Sequence, residues 1–237
     1  MTATLLEAPP ASALAIYAHP DDPAISCGGT LASWASGGST VHVVICTAGD
    51  KGTTDATTDP GALERLRVVE AQRSSAVLGV SGTHFLGHLD GELENDSALR
   101  RELVQIIREL KPEAIVCPDP LAVFFGEHHY NHRDHRVVGW AALDAAAPAA
   151  ALPLYFRGTG ESHQVTAAYL SGSLEPNVWV DVTSTVDRKI DAVSCHLSQL
   201  TDAGDWIASA LRDGAEDAGR EAGVEYAEPF RRIWLAP

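Results

Sequence analysis

Short apolar runs alternate with amphipathic stretches through the first half of the chain. The runs at 14–18 and 41–46 predict strands. The stretch at 25–34, which is followed by two glycines, predicts a helix with a glycine stop between them. A strand, a helix and a second strand in this order are typical of a parallel sheet.

The same alternation continues further along the chain. Helices are predicted at 60–78 and 97–110, and strands at 83–86 and 114–117. Beyond Pro148 the pattern changes to strand-like pieces and one late helix, predicted at 152–156, 165–170, 178–182 and 186 to about 200.

This pattern predicts an α/β fold. The expected architecture is a Rossmann-like, doubly wound and mostly parallel sheet with helices on both faces and a small C-terminal elaboration of strand and helix. A chain of 237 residues fits one domain, 1–237, with a core at about 12–148 and the elaboration at about 149–237.

Three segments follow predicted strands and carry polar side chains. Two are long loops, at 49–59 and 118–131, and the third is the turn His19-Pro20-Asp21-Asp22. Open α/β sheets bind ligands beyond the carboxyl ends of their strands. The three segments are therefore expected to converge on one crevice.

Composition and charge narrow the function classes. Hydrophobic residues make up 45% of the chain and charged residues 21%, which is ordinary for a globular protein. The net charge of −15 argues against nucleic acid and anionic membranes as partners. The first ten residues lack a basic and apolar leader pattern, and no apolar run approaches a membrane span, so a cytoplasmic enzyme is expected.

The chemistry-bearing residues lie in two places. Four of the ten histidines fall between 128 and 135, where the His132-x-x-His135 spacing can place two imidazoles on one side of a turn. Asp134 could orient an imidazole through its second nitrogen, although a solvated polar loop is an equal alternative for this segment alone. His19 and Asp22 add a nitrogen and an oxygen ligand on one stiff turn.

Zinc accepts imidazole and carboxylate ligands, and catalytic zinc sites keep three protein ligands and an open fourth position. His19, Asp22 and His135 satisfy that count. Asp21 then remains free to act as a general base.

The sequence resembles the PIG-L/LmbE-like deacetylase superfamily, whose members carry an A-H-P-D-D turn and a distant H-x-D-H element. These elements are Ala18-His19-Pro20-Asp21-Asp22 and His132-Arg133-Asp134-His135 here. Further matching landmarks are Gly28-Gly29-Thr30-Leu31, Arg67-Val68-Val69-Glu70, Asp90-Gly91 and His196-Leu197-Ser198-Gln199. The resemblance covers most of the chain in the right order.

The resemblance implies zinc-dependent hydrolysis of the N-acetyl group of an N-acetylglucosamine-like small molecule, with release of acetate and a free amine. It assigns the metal to His19, Asp22 and His135, the general base to Asp21, and oxyanion stabilisation to a protonated His132. Fe²⁺ or another divalent ion fits the same ligands. Many members have Glu directly after H-P-D-D, where this chain has Pro23.

Substrate contacts are expected from Arg67, His88 and Asp90. Surface ion pairing along its helix is an equal alternative for Arg67, and a plain turn is an alternative for Asp90-Gly91. The aromatic residues Phe124, Phe125 and Tyr130 could stack on a sugar, cover the metal or anchor their loop.

Several alternatives stay open. An amidase acting on a thiol conjugate or an acylated secondary-metabolite glycoside fits the same family, and so does a homo-oligomer. A metal-dependent phosphoesterase would need more bridging carboxylates. A non-catalytic sugar- or nucleotide-binding module is disfavoured because the first strand leads into H-P-D-D rather than a G-x-G-x-x-G turn.

Overall fold

The computed structural model describes residues 3–127, 129–200 and 206–235, and in these ranges the strands form one large sheet and one short hairpin. The strands are β1 (Ser12–Tyr17), β2 (Thr40–Thr47), β3 (Gly82–His88), β4 (Ala114–Pro118), β5 (Phe124–Phe125), β6 (His129–Tyr130), β7 (Ala167–Ser171), β8 (Val178–Asp181) and β9 (Ala227–Trp234). The α-helices are α1 (Asp22–Ser36), α2 (Pro60–Leu78), α3 (Ser97–Leu110), α4 (Arg133–Asp144), α5 (Val186–Val193), α6 (Leu197–Leu200) and α7 (Trp206–Ala222). None of these helices combines the length and the apolarity that a bilayer crossing requires.

The large sheet has the strand order β3-β2-β1-β4-β7-β9-β8. Strands β1 to β4 and β7 run parallel, whereas β9 is antiparallel to both of its neighbours, β7 and β8. In chain order, β2 and β3 are added on one side of β1, and β4 is then added on its other side. This reversal opens a crevice at the carboxyl ends of β1 and β4, where ligands bind in doubly wound sheets. The predicted fold class is confirmed.

Both faces of the central strands are buried, which explains their nearly continuous apolar sequences. Along β1, Ala15 and Tyr17 pack on one face with residues of α1, α2 and α5. Leu14 and Ile16 pack on the other face with residues of α3 and α4. Helices therefore cover the sheet on both sides and hold the strand ends in place.

Helix α1 is broken in its middle, and a buried ion pair is attached to the break. Cys27 has non-helical dihedral angles (φ −149°, ψ 22°). Just after it, the backbone N–H groups of Gly29 and Thr30 donate to the Glu228 carboxylate at 3.1 and 2.7 Å. The Lys189 ammonium lies 2.6 Å from the same carboxylate. Strand β9 and helix α5 thus supply a cap for the second half of α1.

The strand predicted at 152–156 is wrong, because this segment forms turns. The buried guanidinium of Arg108, on α3, donates to backbone carbonyls along the segment and to one hydroxyl: those of Ala149, Ala150, Leu152, Tyr155, Phe156 and Thr159. These bonds occupy carbonyls that a neighbouring strand would otherwise have taken. The late helix predicted from 186 to about 200 is also divided, into α5 and α6.

Candidate active site

The H-P-D-D turn joins the end of β1 to the start of α1. Asp22 is the first residue of α1 and Pro23 follows in its first turn, where a proline is tolerated because no helical N–H partner is lost. Asp22 Oδ2 accepts a hydrogen bond from the backbone N–H of His19 at 2.8 Å. This bond closes the turn and places both side chains, each at most 9% exposed, at the carboxyl end of β1.

His135 reaches the same point from the first turn of α4. Its Nε2 lies 3.1 Å from His19 Nδ1 and 3.1 Å from Asp22 Oδ1. His19 Nδ1 lies 3.3 Å from Asp22 Oδ2. Ligand atoms about 2.0–2.1 Å from a tetrahedral zinc ion stand roughly 3.3 Å apart. These three residues, called the triad below, therefore bring donor atoms that zinc accepts close to this spacing, with a different Asp22 oxygen facing each imidazole.

Asn131 contacts the imidazole of His135 through the ring nitrogen that faces away from the triad. Asn131 Oδ1 lies 3.0 Å from His135 Nδ1, while Asn131 Nδ2 donates to the Ala122 carbonyl at 2.7 Å. That arrangement leaves His135 Nε2 free to face a metal ion. Asn131 was given no role in the sequence interpretation, although it stands directly before the H-x-D-H element.

His19 is held by two carboxylates. Its Nε2 lies 3.1 Å from Asp90 Oδ1 and 3.7 Å from Asp134 Oδ2. Asp134 is fully buried, and it also accepts the Gly91 N–H at 2.7 Å. The orienting role of Asp134 stays a prediction, and Asp90 has a contact with His19 that the sequence interpretation did not include.

The charges of the triad and its neighbours favour a cation. Burial opposes charge on His19, but the carboxylates of Asp22, Asp134 and Asp90 raise its pKa to about 12. Burial likewise opposes charge on Asp22, yet the imidazoles of His135 and His19 hold its pKa well below the usual range. A cluster of this kind suits a divalent cation, which can replace the proton on His19.

Asp21 stands beside the triad and pairs with Arg67 of α2. Arg67 Nη2 donates to Asp21 Oδ1 at 3.0 Å, and Nη1 donates to the Gly49 carbonyl at 3.0 Å. Arg67 is only 3% exposed, so surface ion pairing is excluded as its role. Gly49 has φ +67°, and a Cβ there would collide with the guanidinium, so the loop after β2 requires glycine at this position.

His132 is the N-cap residue of α4. Its Nδ1 accepts a hydrogen bond from the Asp134 N–H at 3.2 Å, which leaves Nε2 as the nitrogen that carries the proton. Burial, together with the imidazoles of His19 and His135, lowers the pKa of His132. The lowered pKa favours the neutral imidazole with its proton on Nε2, whereas the protonated form that the resemblance implies stays a prediction.

A cavity of about 280 Å³ opens over these groups and is called the polar cavity. It is lined by His19, Asp21, Asp22, Gly52, Arg67, Asp90, His132, His135 and Gln199. Gly52 and Gln199 were not predicted as site residues, and they are linked by a 3.1 Å hydrogen bond from Gln199 Nε2 to the Gly52 carbonyl. His88 is not part of this lining, and its Nε2 lies 2.8 Å from Glu102 on α3.

Comparison with known proteins places this arrangement in a family. The family model described as PIG-L, GlcNAc-PI de-N-acetylase, matches residues 14–146. The diacetylchitobiose deacetylase of Thermococcus kodakarensis is 34% identical over 225 residues, which cover 93% of this chain and 82% of that protein. The 1D-myo-inositol 2-acetamido-2-deoxy-alpha-D-glucopyranoside deacetylase of Rhodococcus jostii is 28% identical and covers 84% of this chain and 85% of that protein.

Solved structures agree with the sequence relatives. The N,N'-diacetylchitobiose deacetylase from Pyrococcus horikoshii, complexed with its inhibitor MPG, superposes with a TM-score of 0.86 at 30% identity and covers 94% of this chain and 84% of that one. GalB, the 4-carboxy-2-hydroxymuconate hydratase from Pseudomonas putida, reaches a TM-score of 0.78 at 21% identity over 95% of this chain and 97% of that one, which shows the shared fold alone. The deacetylase class expected from the sequence is confirmed by the closer similarities, and the chain belongs to the PIG-L family of de-N-acetylases.

Proposed function

We propose that this protein is a zinc-dependent N-deacetylase that hydrolyses the acetamide of an N-acetylglucosamine-like group in a small molecule and releases acetate and a free amine. The observation that carries the proposal is the mutual contact of His19, Asp22 and His135, with Asp21 and His132 on the wall of the same cavity. The two relatives described above act on diacetylchitobiose and on an acetamido-glucopyranoside of inositol, which supports a substrate of this class.

His19, Asp22 and His135 would hold a divalent ion, which would supply Lewis-acid polarisation of the acetyl carbonyl and a lower pKa for the attacking water. Asp21 accepts a proton from that water, and Arg67 holds the Asp21 carboxylate in position through Nη2. His132 donates its Nε2–H to the oxyanion that develops on the carbonyl oxygen. Asp21 then returns its proton to the leaving nitrogen. His132 would compete as the donor only in its protonated form, because a neutral imidazole that lost its Nε2 proton would become an imidazolate.

The rest of the polar cavity suits a sugar. Arg67, Asp90 and Gln199 line it and offer donors and acceptors for hydroxyl groups. Asp90 already contacts His19, so a hydroxyl bound to Asp90 would be placed close to the triad.

Removal of the metal is expected to abolish acetate release, and loading with zinc to restore it. The measurement is acetate release from a panel of N-acetylglucosamine, diacetylchitobiose, inositol glycosides and acylated antibiotic-type glycosides, with the metal content determined on the same samples. Loading with Fe²⁺ tests the competing metal. A protein that binds no divalent metal at all would contradict the proposal, and His19→Ala serves as the matched variant that should lose the metal.

Replacing His132 by Asn is expected to lower kcat by about 100- to 1000-fold, which is the usual effect of losing one oxyanion donor. Asn is a good N-cap residue, so the cap of α4 is kept, whereas Ala would also lose about 0.5–2 kcal/mol of stability. Thermal unfolding of both variants separates the two effects. If His132→Asn keeps full kcat, the oxyanion donor lies elsewhere.

A further inference from the structure

A second cavity, of about 170 Å³, meets the triad and is called the inner cavity. The two cavities share only Asp22 and His135 among their lining residues. The triad therefore stands where two separate spaces meet, and a group bound there can extend into both.

The two cavities extend toward opposite sides of β1. In the sheet, β2 and β3 lie on one side of β1, and β4 and β7 lie on the other. The loops after β2 and β3 supply Gly52 and Asp90 to the polar cavity. The ends of β4 and β7 supply Pro118 and Ser171 to the inner cavity.

The linings of the two cavities also differ chemically. The polar cavity has the guanidinium of Arg67 and the carboxylate of Asp90 on its wall. Apart from Asp22, the described lining of the inner cavity carries no Asp, Glu, Lys or Arg side chain; the rings of Tyr17, Pro118 and Phe125 share it with uncharged polar side chains such as those of Ser26, Asn131 and Ser171. An amide carbonyl bound at the triad has two substituents. The charged groups of the polar cavity suit the hydroxylated amine side, which leaves the inner cavity, with fewer charged groups, for the acyl side.

The fully buried Tyr17 lines the base of the inner cavity, and the partly buried Phe125 lines one wall. The buried Tyr17 hydroxyl is 2.8 Å from Ser171 Oγ and 3.2 Å from Cys27 Sγ, so the base is already hydrogen-bonded and requires no polar ligand. At the wall, the tip of the Phe125 ring stands 3.9 Å from where a Cβ on Gly172 would lie. Phe125 thus limits how far a bound chain can extend. Its neighbours Phe124 and Tyr130 are exposed instead, at 66% and 57%.

We propose that the inner cavity is an acyl-binding subsite, that it accepts unbranched acyl groups longer than acetyl, up to butyryl, and that Phe125 sets this limit. This inference rests on the proposed N-deacetylase function and deepens it. A single acetyl methyl leaves most of the inner cavity unfilled, whereas propionyl and butyryl chains place further apolar carbons against the rings of Tyr17 and Phe125.

The test is a series of N-acetyl-, N-propionyl-, N-butyryl- and N-hexanoyl-glucosamine, or the same acyl series on the sugar that the deacetylase panel identifies. Amine release gives kcat/KM for each chain length, expressed as a ratio to acetyl. Wild type should hydrolyse the butyryl substrate and discriminate against hexanoyl. One methylene in a tight pocket is worth about 10- to 200-fold, so Phe125→Ala should raise the hexanoyl-to-acetyl ratio by at least about 10-fold. Ser26 also lines the inner cavity, and Ser26→Val should lower the butyryl-to-acetyl ratio by a similar factor because the larger side chain takes up space there.

Gln199→Ala is the matched control, because Gln199 lines only the polar cavity. It should change KM for the sugar and leave the chain-length ratios as in wild type. Inhibition of wild type by free acetate, propionate, butyrate and hexanoate gives a second readout that needs no variant to fold. Inhibition should tighten by about fourfold per methylene up to butyrate and weaken at hexanoate.

Unchanged chain-length ratios in Phe125→Ala and Ser26→Val, in variants that still hydrolyse the acetyl substrate, would overturn the acyl subsite. A change in sugar preference in place of chain-length preference would overturn it as well. If metal-loaded wild type releases amine from no acyl substrate of any length, the deacetylase function itself fails, and that outcome is distinct from the other two.

Discussion

Replacing Asp21 by Asn is expected to lower kcat/KM for the acetamide substrate by about 100- to 10,000-fold, the range that a positioned general base contributes. Asn has nearly the shape of Asp but cannot accept the proton of the attacking water. Asp21 is not a member of the triad, and its carboxylate instead contacts Arg67 Nη2 at 3.0 Å. The variant should therefore bind one metal ion per chain as wild type does, which separates loss of the base from loss of the metal.

The measurement combines steady-state kinetics with metal analysis of the same protein. Asp55→Asn is a suitable control, because Asp55 is exposed on the loop after β2 and its carboxylate accepts hydrogen bonds from Thr57 and Thr58 of the same loop. Its kcat/KM should stay within about twofold of wild type, as surface substitutions usually have small effects. Retained activity in Asp21→Asn would move the general base to another residue of the polar cavity.

The sequence predicted the parallel half of the fold because its strands are buried on both faces. Their apolar runs are nearly continuous, and glycine stops separate them from the helices, as Gly79 does with φ +78° after α2. Strand β9 could not be found in this way. Its sequence contains Pro229 and two adjacent arginines, and only pairing with β7 and β8 makes it a strand.

The site residues likewise divide into those that the local sequence indicated and those whose contacts depend on distant parts of the chain. His19 and Asp22 lie on one short turn, so their spacing alone indicated a shared ligand position. The two carboxylates that contact His19 Nε2 come from the loop after β3 and from α4, so these contacts form only in the folded chain. No local sequence pattern indicated that Asp90 would contact His19. His88, two residues earlier, pairs with Glu102 of α3, so its expected substrate contact stays a prediction without a place in the polar cavity.

The ion pair of Lys189 and Glu228 is expected to have the largest effect on stability. The two side chains are 7% and 4% exposed, and Glu228 also accepts the N–H groups of Gly29 and Thr30 at the break in α1. Glu228→Ala leaves a buried ammonium without its partner and the second half of α1 without its cap. Removing one partner of a buried pair costs about 3–5 kcal/mol, which for a chain of this size corresponds to a Tm lower by roughly 6–20 °C.

Denaturant unfolding of Glu228→Ala, Lys189→Met and the double variant Lys189→Met/Glu228→Gln measures this effect. The double variant should be more stable than Glu228→Ala, because no unpaired charge is left inside the protein. Glu216→Ala is the matched surface control. The Glu216 carboxylate lies 3.0 Å from the Arg220 guanidinium, but both side chains are more than half exposed, so the variant should lose less than about 1 kcal/mol of stability. A loss for Glu228→Ala no larger than this control would mean that α1 keeps its break without the cap. A loss of about 3–5 kcal/mol would mean instead that β9 and α5 stabilise α1, the helix that begins with Asp22. A C-terminal strand and helix would then stabilise a triad to which they contribute no residue.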